Sequence, residues 1–151
     1  DLSDPAPVTP GVNTLLLSAS STAVPDIVAL TATPSGDGIV NLPGTNGSNA
    51  FSVATVNNGA TDTITADVVT TVSLPVALSI CESNPADGQC LSAPASSTTS
   101  TVNAGFTPTY SVFATATGTV PFDPALNRIV VTFRDGGGVV RGRTSVAVRT
   151  Q

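Results

Sequence analysis

Arg128-Ile-Val-Val-Thr-Phe-Arg134 and Val139-Val-Arg-Gly-Arg-Thr-Ser-Val-Ala-Val-Arg149 stand on either side of Asp135-Gly-Gly-Gly138. Two β-branched runs joined by Asp-Gly and further glycines predict a β-hairpin, because Asp and Gly accept the positive φ that a tight reversal demands. Upstream, Thr109–Thr117 sets Tyr110, Val112 and Ala114 against Ser111, Phe113 and Thr115, the period of two of a strand. Gly118-Thr-Val-Pro-Phe-Asp-Pro124 then reads as a loop holding an apolar plug.

The same period recurs toward the N-terminus. Leu74–Ile80 places Val76, Leu78 and Ile80 inward, Asp62–Ser73 does so with Ile64, Ala66 and Val68, and Phe51–Val56 aligns Phe51, Val53 and Thr55. Asn57-Asn-Gly59 between two of these runs signals a hairpin or loop. Ile39–Leu42, bracketed by Gly36, Gly38, Pro43, Gly44 and Gly47, reads as a short edge piece. Asp26–Thr33 is apolar on both faces, as a buried strand would be. The polar Ala-Pro-Ala-Ser-Ser-Thr-Thr-Ser segment after Cys90 is either linker or edge strand.

Nowhere does an apolar 3.6-residue period persist for ten residues, and the helix formers are scarce. Eight to ten short strands separated by turn signals predict an all-β, antiparallel β-sandwich. Residues 25–151 are its expected extent. Residues 1–24 form an extended leader: three prolines and a glycine within the first twelve positions oppose pairing, and Asn13–Ser20 follows as a candidate strand.

The chain has 151 residues, 40 % hydrophobic, 10 % charged and 4 % aromatic. A folded chain of this size buries roughly 70 % of its extended surface, enough for an apolar core without metals or several disulfides. There is no His, Lys, Met or Trp. Their absence removes the usual general base at neutral pH, the commonest transition-metal ligand, Schiff-base chemistry and the Walker-type phosphate contact. Five cations against ten carboxylates, a net charge of −5, argue against nucleic acid or an anionic membrane surface as partner. The cations are Arg128, Arg134, Arg141, Arg143 and Arg149, expected on solvent faces of the last strands. No run approaches the roughly 18 to 20 apolar residues of a spanning helix, so membrane insertion is not expected.

Cys81 and Cys90 enclose Glu-Ser-Asn-Pro-Ala-Asp-Gly-Gln, a polar run of turn residues. Free thiols on such a surface loop would be a liability, so a disulfide is predicted, and with it an oxidising location. Four-ligand zinc lacks the further Cys or His it needs. Asp1 stands first with no basic n-region and apolar h-region behind it, which reads as a chain exported with its signal peptide removed, or as a fragment.

From Ile27 to Gln151 the chain resembles the bacterial immunoglobulin-like units that recur in large exported proteins. The likeness is carried by Phe51–Asn57, by Leu74–Cys81 with Asn84-Pro85 and Gly88-Gln-Cys90, by Gly118–Pro124 with Asn127-Arg-Ile129, and by Thr144–Thr150. The cysteine segment is its most specific part. The resemblance implies an immunoglobulin-like sandwich in a secreted or cell-surface protein, used as a spacer or adhesive module, with no catalytic residues to carry over. The chain departs from the tandem pattern as a single unit with its own leader.

No catalytic or metal constellation competes with this reading, and no cofactor is implied. Asp37, Asp87 and Asp135 each precede Gly, and Asp123 lies between Phe122 and Pro124, so turn formation explains them. Asp62 and Asp67 lack a calcium-loop pattern. Ser and Thr have no activating base, and Tyr110 alone gives little for sugar stacking, which leaves a glycan contact only to polar loops. Asn46-Gly-Ser48 is a lone glycosylation triplet.

The expectation is a non-catalytic structural protein of the bacterial surface or extracellular space that packs with copies of itself, as a fibre, sheath or layer subunit. Leu15, Leu16 and Leu17 are the candidate self-association residues: Asn13–Ser20 either adds as a strand to a neighbour's sheet edge or pairs within its own domain. The alternatives are an adhesin reading a surface protein or glycan through its loops, and an accessory domain of an exported enzyme or complex.

Overall fold

The computed structural model describes residues 8, 9, 12, 16 and 19–151. Nine strands are present: β1 (Ile27–Ala32), β2 (Ile39–Leu42), β3 (Ser48–Asn57), β4 (Asp62–Thr70), β5 (Val76–Ser83), β6 (Ser97–Val102), β7 (Thr109–Ala116), β8 (Arg128–Arg134) and β9 (Val140–Thr150). They form a four-stranded sheet of order β1-β3-β7-β5 and a five-stranded sheet of order β2-β9-β8-β4-β6. This is an immunoglobulin-like β-sandwich, in which the first, second, fifth and fourth main strands share one sheet and the third, sixth and seventh the other. One departure is β6, which follows β5 in the chain but crosses to pair with β4.

The inward rows interlock in the core. Phe51 and Val53, Ile64, Ala66 and Val68, Tyr110, Val112 and Ala114, and Ile129, Val131 and Phe133 are all buried, each strand contributing every second residue. Tyr110 and Phe133, from opposite sheets, meet with ring centroids 5.3 Å apart at 57°, a tilted arrangement that suits the ring quadrupoles. Val76 and Leu78 pack against the core from its margin. The apolar plug of the 118–124 loop is Val120, buried at 1 % exposure, with its amide bound to the Thr150 hydroxyl.

The hairpin of β8 and β9 is antiparallel, with a bulge between Phe133 and Arg134, and the strand begins at Val140 because Val139 closes the turn. Three expectations are corrected. Pairing is not antiparallel throughout, since β2 runs parallel to β9, from Ile39 opposite Ala147 to Leu42 opposite Thr150; the two strands lie at opposite ends of the chain, so no tight turn constrains their direction. β1 is not buried on both faces: as an edge strand it exposes Val28 to 46 % and Leu30 to 71 %. Of the two readings of Asn57-Asn-Gly59 the loop holds: it is the corner where the chain leaves one sheet for the other. Gly59 is not there for positive φ; a Cβ would lie 2.1 Å from the Val24 carbonyl oxygen, so the close approach of two backbones demands glycine. Arg128, expected on a solvent face, is buried.

The segment after Cys90 resolves into β6, an edge strand of Ser and Thr against β4. Of the candidate strand Asn13–Ser20, Leu15 and Leu17 lie outside the described residues. Leu16 belongs to no strand, is 48 % exposed, and lines a groove with β1 and with Arg141–Arg143 of β9.

Candidate functional site

Cys81 and Cys90 are joined, with Cα atoms 5.6 Å apart. Cys81 lies on the outward row of β5, opposite Ser111 of β7, so the bridge sits on the outer face of the four-stranded sheet. The loop it closes is built from its own turn chemistry: the Asn84 carboxamide oxygen accepts from the Ala86 amide, and Asp87 Oδ1 accepts from the Gln89 amide. Folded back, the loop reaches Ser111, whose hydroxyl donates to the Gly88 carbonyl at 3.3 Å.

The connection beyond the loop runs along the free edge of β5. The Leu91 amide donates to Glu82 O at 2.9 Å, and Ile80 and Ala95 exchange two main-chain bonds of 2.7 and 3.1 Å. An edge strand otherwise offers a template for foreign strands, and here the chain covers its own. The disulfide therefore pins an edge cover in place.

The two outer faces differ in charge. On the five-stranded sheet, Arg128, Arg134, Arg143 and Arg149 occupy outward rows, and Arg141 lies at the bulge beside them. Arg134 Nε lies 3.1 Å from Asp67 Oδ2, and Arg141 Nε 2.7 Å from Asp135 Oδ2. Arg149 Nε donates to Asn41 Oδ1 while its guanidinium lies 4.9 Å over the exposed ring of Phe122. Arg128 donates through Nε to the Ser145 hydroxyl, and through its terminal nitrogens to Pro124 O and Ser145 O. Burial pulls its pKa below the ordinary arginine value.

On the four-stranded sheet the outward rows are Val28, Leu30 and Ala32 on β1; Ser48, Ala50, Ser52, Ala54 and Val56 on β3; Thr109, Ser111, Phe113 and Thr115 on β7; and Ala77, Ser79, Cys81 and Ser83 on β5. None of them is ionisable. Between Phe113 and the disulfide loop this face opens into a cleft of about 360 Å³.

The carboxylates act as turn builders. Asp135 Oδ1 accepts the amides of Gly137 and Val139; burial would raise its pKa, but these bonds and Arg141 more than offset that and hold it below the usual carboxylate value. Asp123 accepts the amides of Ala125 and Leu126. The Ser35 hydroxyl and Ile39 amide hold Asp37 low. Asp62 receives the Thr63 amide and does not meet Asp67, which turns to Arg134. Among the described residues no three metal-ligating side chains cluster. Tyr110 is enclosed in the core, where burial, with Glu82 nearby, pushes its phenol pKa far up. Asn46 is exposed in the turn before β3.

Sequence reasoning missed Asn57. Fully buried, it accepts from the Asp26 and Gly59 amides through Oδ1, and donates through Nδ2 to Ala60 O at 2.8 Å and Val102 O at 3.2 Å. One side chain thus ties β1, the sheet-to-sheet corner and the end of β6. Its place in a turn-forming Asn-Asn-Gly was the available signal, but a turn motif does not disclose which Asn turns inward.

No family model and no curated protein matches the chain. Among solved structures, it is similar to WR4, a C. elegans MSP family member, with a TM-score of 0.43, 11 % identity, and coverage of 83 % of this chain and 97 % of the other. It is likewise similar to the N-terminal domain of PorA, with a TM-score of 0.43, 11 % identity, and coverage of 82 % and 98 %. A third is the CooA pilin subunit from enterotoxigenic Escherichia coli, with a TM-score of 0.40, 16 % identity, and coverage of 84 % and 99 %.

Proposed function

We propose that the chain is a non-catalytic structural module of the bacterial cell surface or extracellular space, which packs with copies of itself into a larger assembly. The observation that carries this reading is the division of charge. A chain of net charge −5 has four of its five arginines on the outward rows of one sheet, whereas the outward strand rows of the other sheet hold no ionisable side chain and the exposed Asp87 stands at its margin, in the disulfide loop. A monomeric surface facing only water has no need of such a face, whereas an interface does, because a buried unpaired charge is costly and an uncharged strip is not. The disulfide supports an exported location. Covering β5 with its own chain directs association away from that edge.

The test is sedimentation and electron microscopy of the oxidised chain across a range of concentrations. Concentration-dependent oligomers or ordered assemblies are expected. A chain that stays monomeric to millimolar concentration while binding a surface protein or glycan would overturn the reading in favour of an adhesin.

A further inference from the structure

Five dipeptides in the chain set a short carboxamide or carboxylate side chain before a glycine: Asp37-Gly38, Asn46-Gly47, Asn58-Gly59, Asp87-Gly88 and Asp135-Gly136. In such a pair the glycine nitrogen can attack the preceding side-chain carbonyl carbon, because no Cβ shields it. The attack needs a free glycine amide and a side chain that is not tied down, and the fold withdraws one or both at four of the five. The Gly38 amide donates to Thr33 Oγ1 at 3.1 Å, and the Gly88 amide to Asn84 O at 2.8 Å. Two amides and Arg141 hold Asp135 as a carboxylate, a poor electrophile. The Gly59 amide donates to Asn57 Oδ1 at 3.0 Å, in a corner so close-packed that a Cβ on Gly59 would collide with the Val24 carbonyl oxygen.

Asn46-Gly47 differs. Asn46 is exposed in the turn between β2 and β3, and among the described residues neither its carboxamide nor the Gly47 amide makes a hydrogen bond. Packing keeps the glycine in place: a Cβ on Gly47 would lie 2.0 Å from Pro43 O, although its φ is not positive. The turn is fixed on both sides, by the Gly44 amide on Gln151 O at 2.7 Å and by the Ala116 amide on Gly47 O at 2.9 Å.

We propose that Asn46 is a site of spontaneous covalent modification, which loses its side-chain nitrogen as ammonia and becomes aspartate or isoaspartate, with water the only co-reactant. The Gly47 nitrogen gives its proton to hydroxide and bonds to Asn46 Cγ. The Cγ–Nδ2 bond breaks, and Nδ2 takes a proton from water and leaves as ammonia, closing a five-membered succinimide. Water then opens the ring. Attack at Cγ restores the main chain with an aspartate, whereas attack at the main-chain carbonyl carbon leaves isoaspartate, whose backbone is longer by one carbon. That carbon falls between the fixed points at Gly44 and Gly47, and either product adds a negative charge to the exposed turn.

Peptide mapping by mass spectrometry tests this on the oxidised full chain, incubated in heavy-oxygen water at neutral to alkaline pH so that ring opening draws a labelled oxygen from solvent. The expected result is ammonia loss and label uptake at Asn46, faster as pH rises. Conversion at Asn58 should be at least about tenfold slower, because its corner must open before the Gly59 amide is released. In guanidinium chloride the two sites should convert at similar rates, since both are Asn-Gly and the fold that distinguishes them is gone. Asn46→Gln, which could close only a six-membered ring, should keep the fold and leave the position unconverted. Asn46 that stays unconverted in the folded chain, or Asn58 that keeps pace with it there, would overturn the proposal. A preference for Asn46 that persists unchanged in guanidinium chloride would trace the selectivity to neighbouring sequence and overturn the role given to the fold.

Discussion

Arg141 Nε lies 2.7 Å from Asp135 Oδ2, and the second carboxylate oxygen of Asp135 accepts the amides of Gly137 and Val139. One side chain therefore closes the β8–β9 turn and anchors the arginine at the bulge. Asp135→Ala leaves two amides without their side-chain acceptor and takes one carboxylate contact from the largely buried Arg141 guanidinium. It is expected to cost about 2 to 4 kcal/mol in urea unfolding, a loss much larger than the ~1 kcal/mol or less of an exposed ion pair.

The same contact predicts an acid sensitivity. The folded pKa of Asp135 lies below its ordinary 3.8, so the unfolded chain takes up the proton first as pH falls. Its contribution is complete above about pH 5 and is lost as pH drops through the folded value. Urea midpoints between pH 6 and 2 should fall more steeply for the wild type than for Asp135→Asn, which has no proton to gain there.

Removing the disulfide should destabilise the chain by about 3 kcal/mol on the chain-entropy account of a loop this short. Cys81→Ala/Cys90→Ala should also release the cover of β5. Hydrogen exchange then reads a local effect: the amides of Ile80, Leu91 and Ala95 should lose protection ahead of those in β8.

Asn57→Ala is expected to cost about 3 kcal/mol, because four backbone groups at the sheet-to-sheet corner lose one shared partner in a buried setting. Asn57→Asp keeps the acceptor but replaces the donor with a buried charge, and should be no milder. Chemical denaturation of both variants beside Asn58→Ala, whose residue is exposed at the same corner, checks the assignment.

Gly142→Ala should destabilise by about 1 to 3 kcal/mol, since its Cβ would stand 2.2 Å from the Ile27 carbonyl oxygen, where β1 and β9 close the side of the sandwich. Thermal unfolding measures it, with Gly136→Ala, whose Cβ would come no nearer than 3.3 Å to another atom, as the comparison.

The alternation of Phe51, Val53 and Thr55, of Ile64, Ala66 and Val68, and of Tyr110, Val112 and Ala114 determined by itself which residues face the core, because a pleated strand leaves a side chain only two directions. The β8–β9 hairpin and the Cys81–Cys90 bridge were legible for the same local reason: turn chemistry and short separation bring their partners together. What lay between distant segments was not. That β2 runs parallel to β9, that β1 is an edge with Leu30 exposed, that Arg128 is buried on Ser145, and that Asn57 turns inward all depend on which strands become neighbours. The uncharged face is the fullest case. Its residues are scattered over four strands as alternate positions, mostly Ala, Ser, Thr and Val with Leu30, Cys81 and Phe113, and only the order β1-β3-β7-β5 gathers them into one surface, since sheet neighbours are chosen by burial across the whole core and not by any local run.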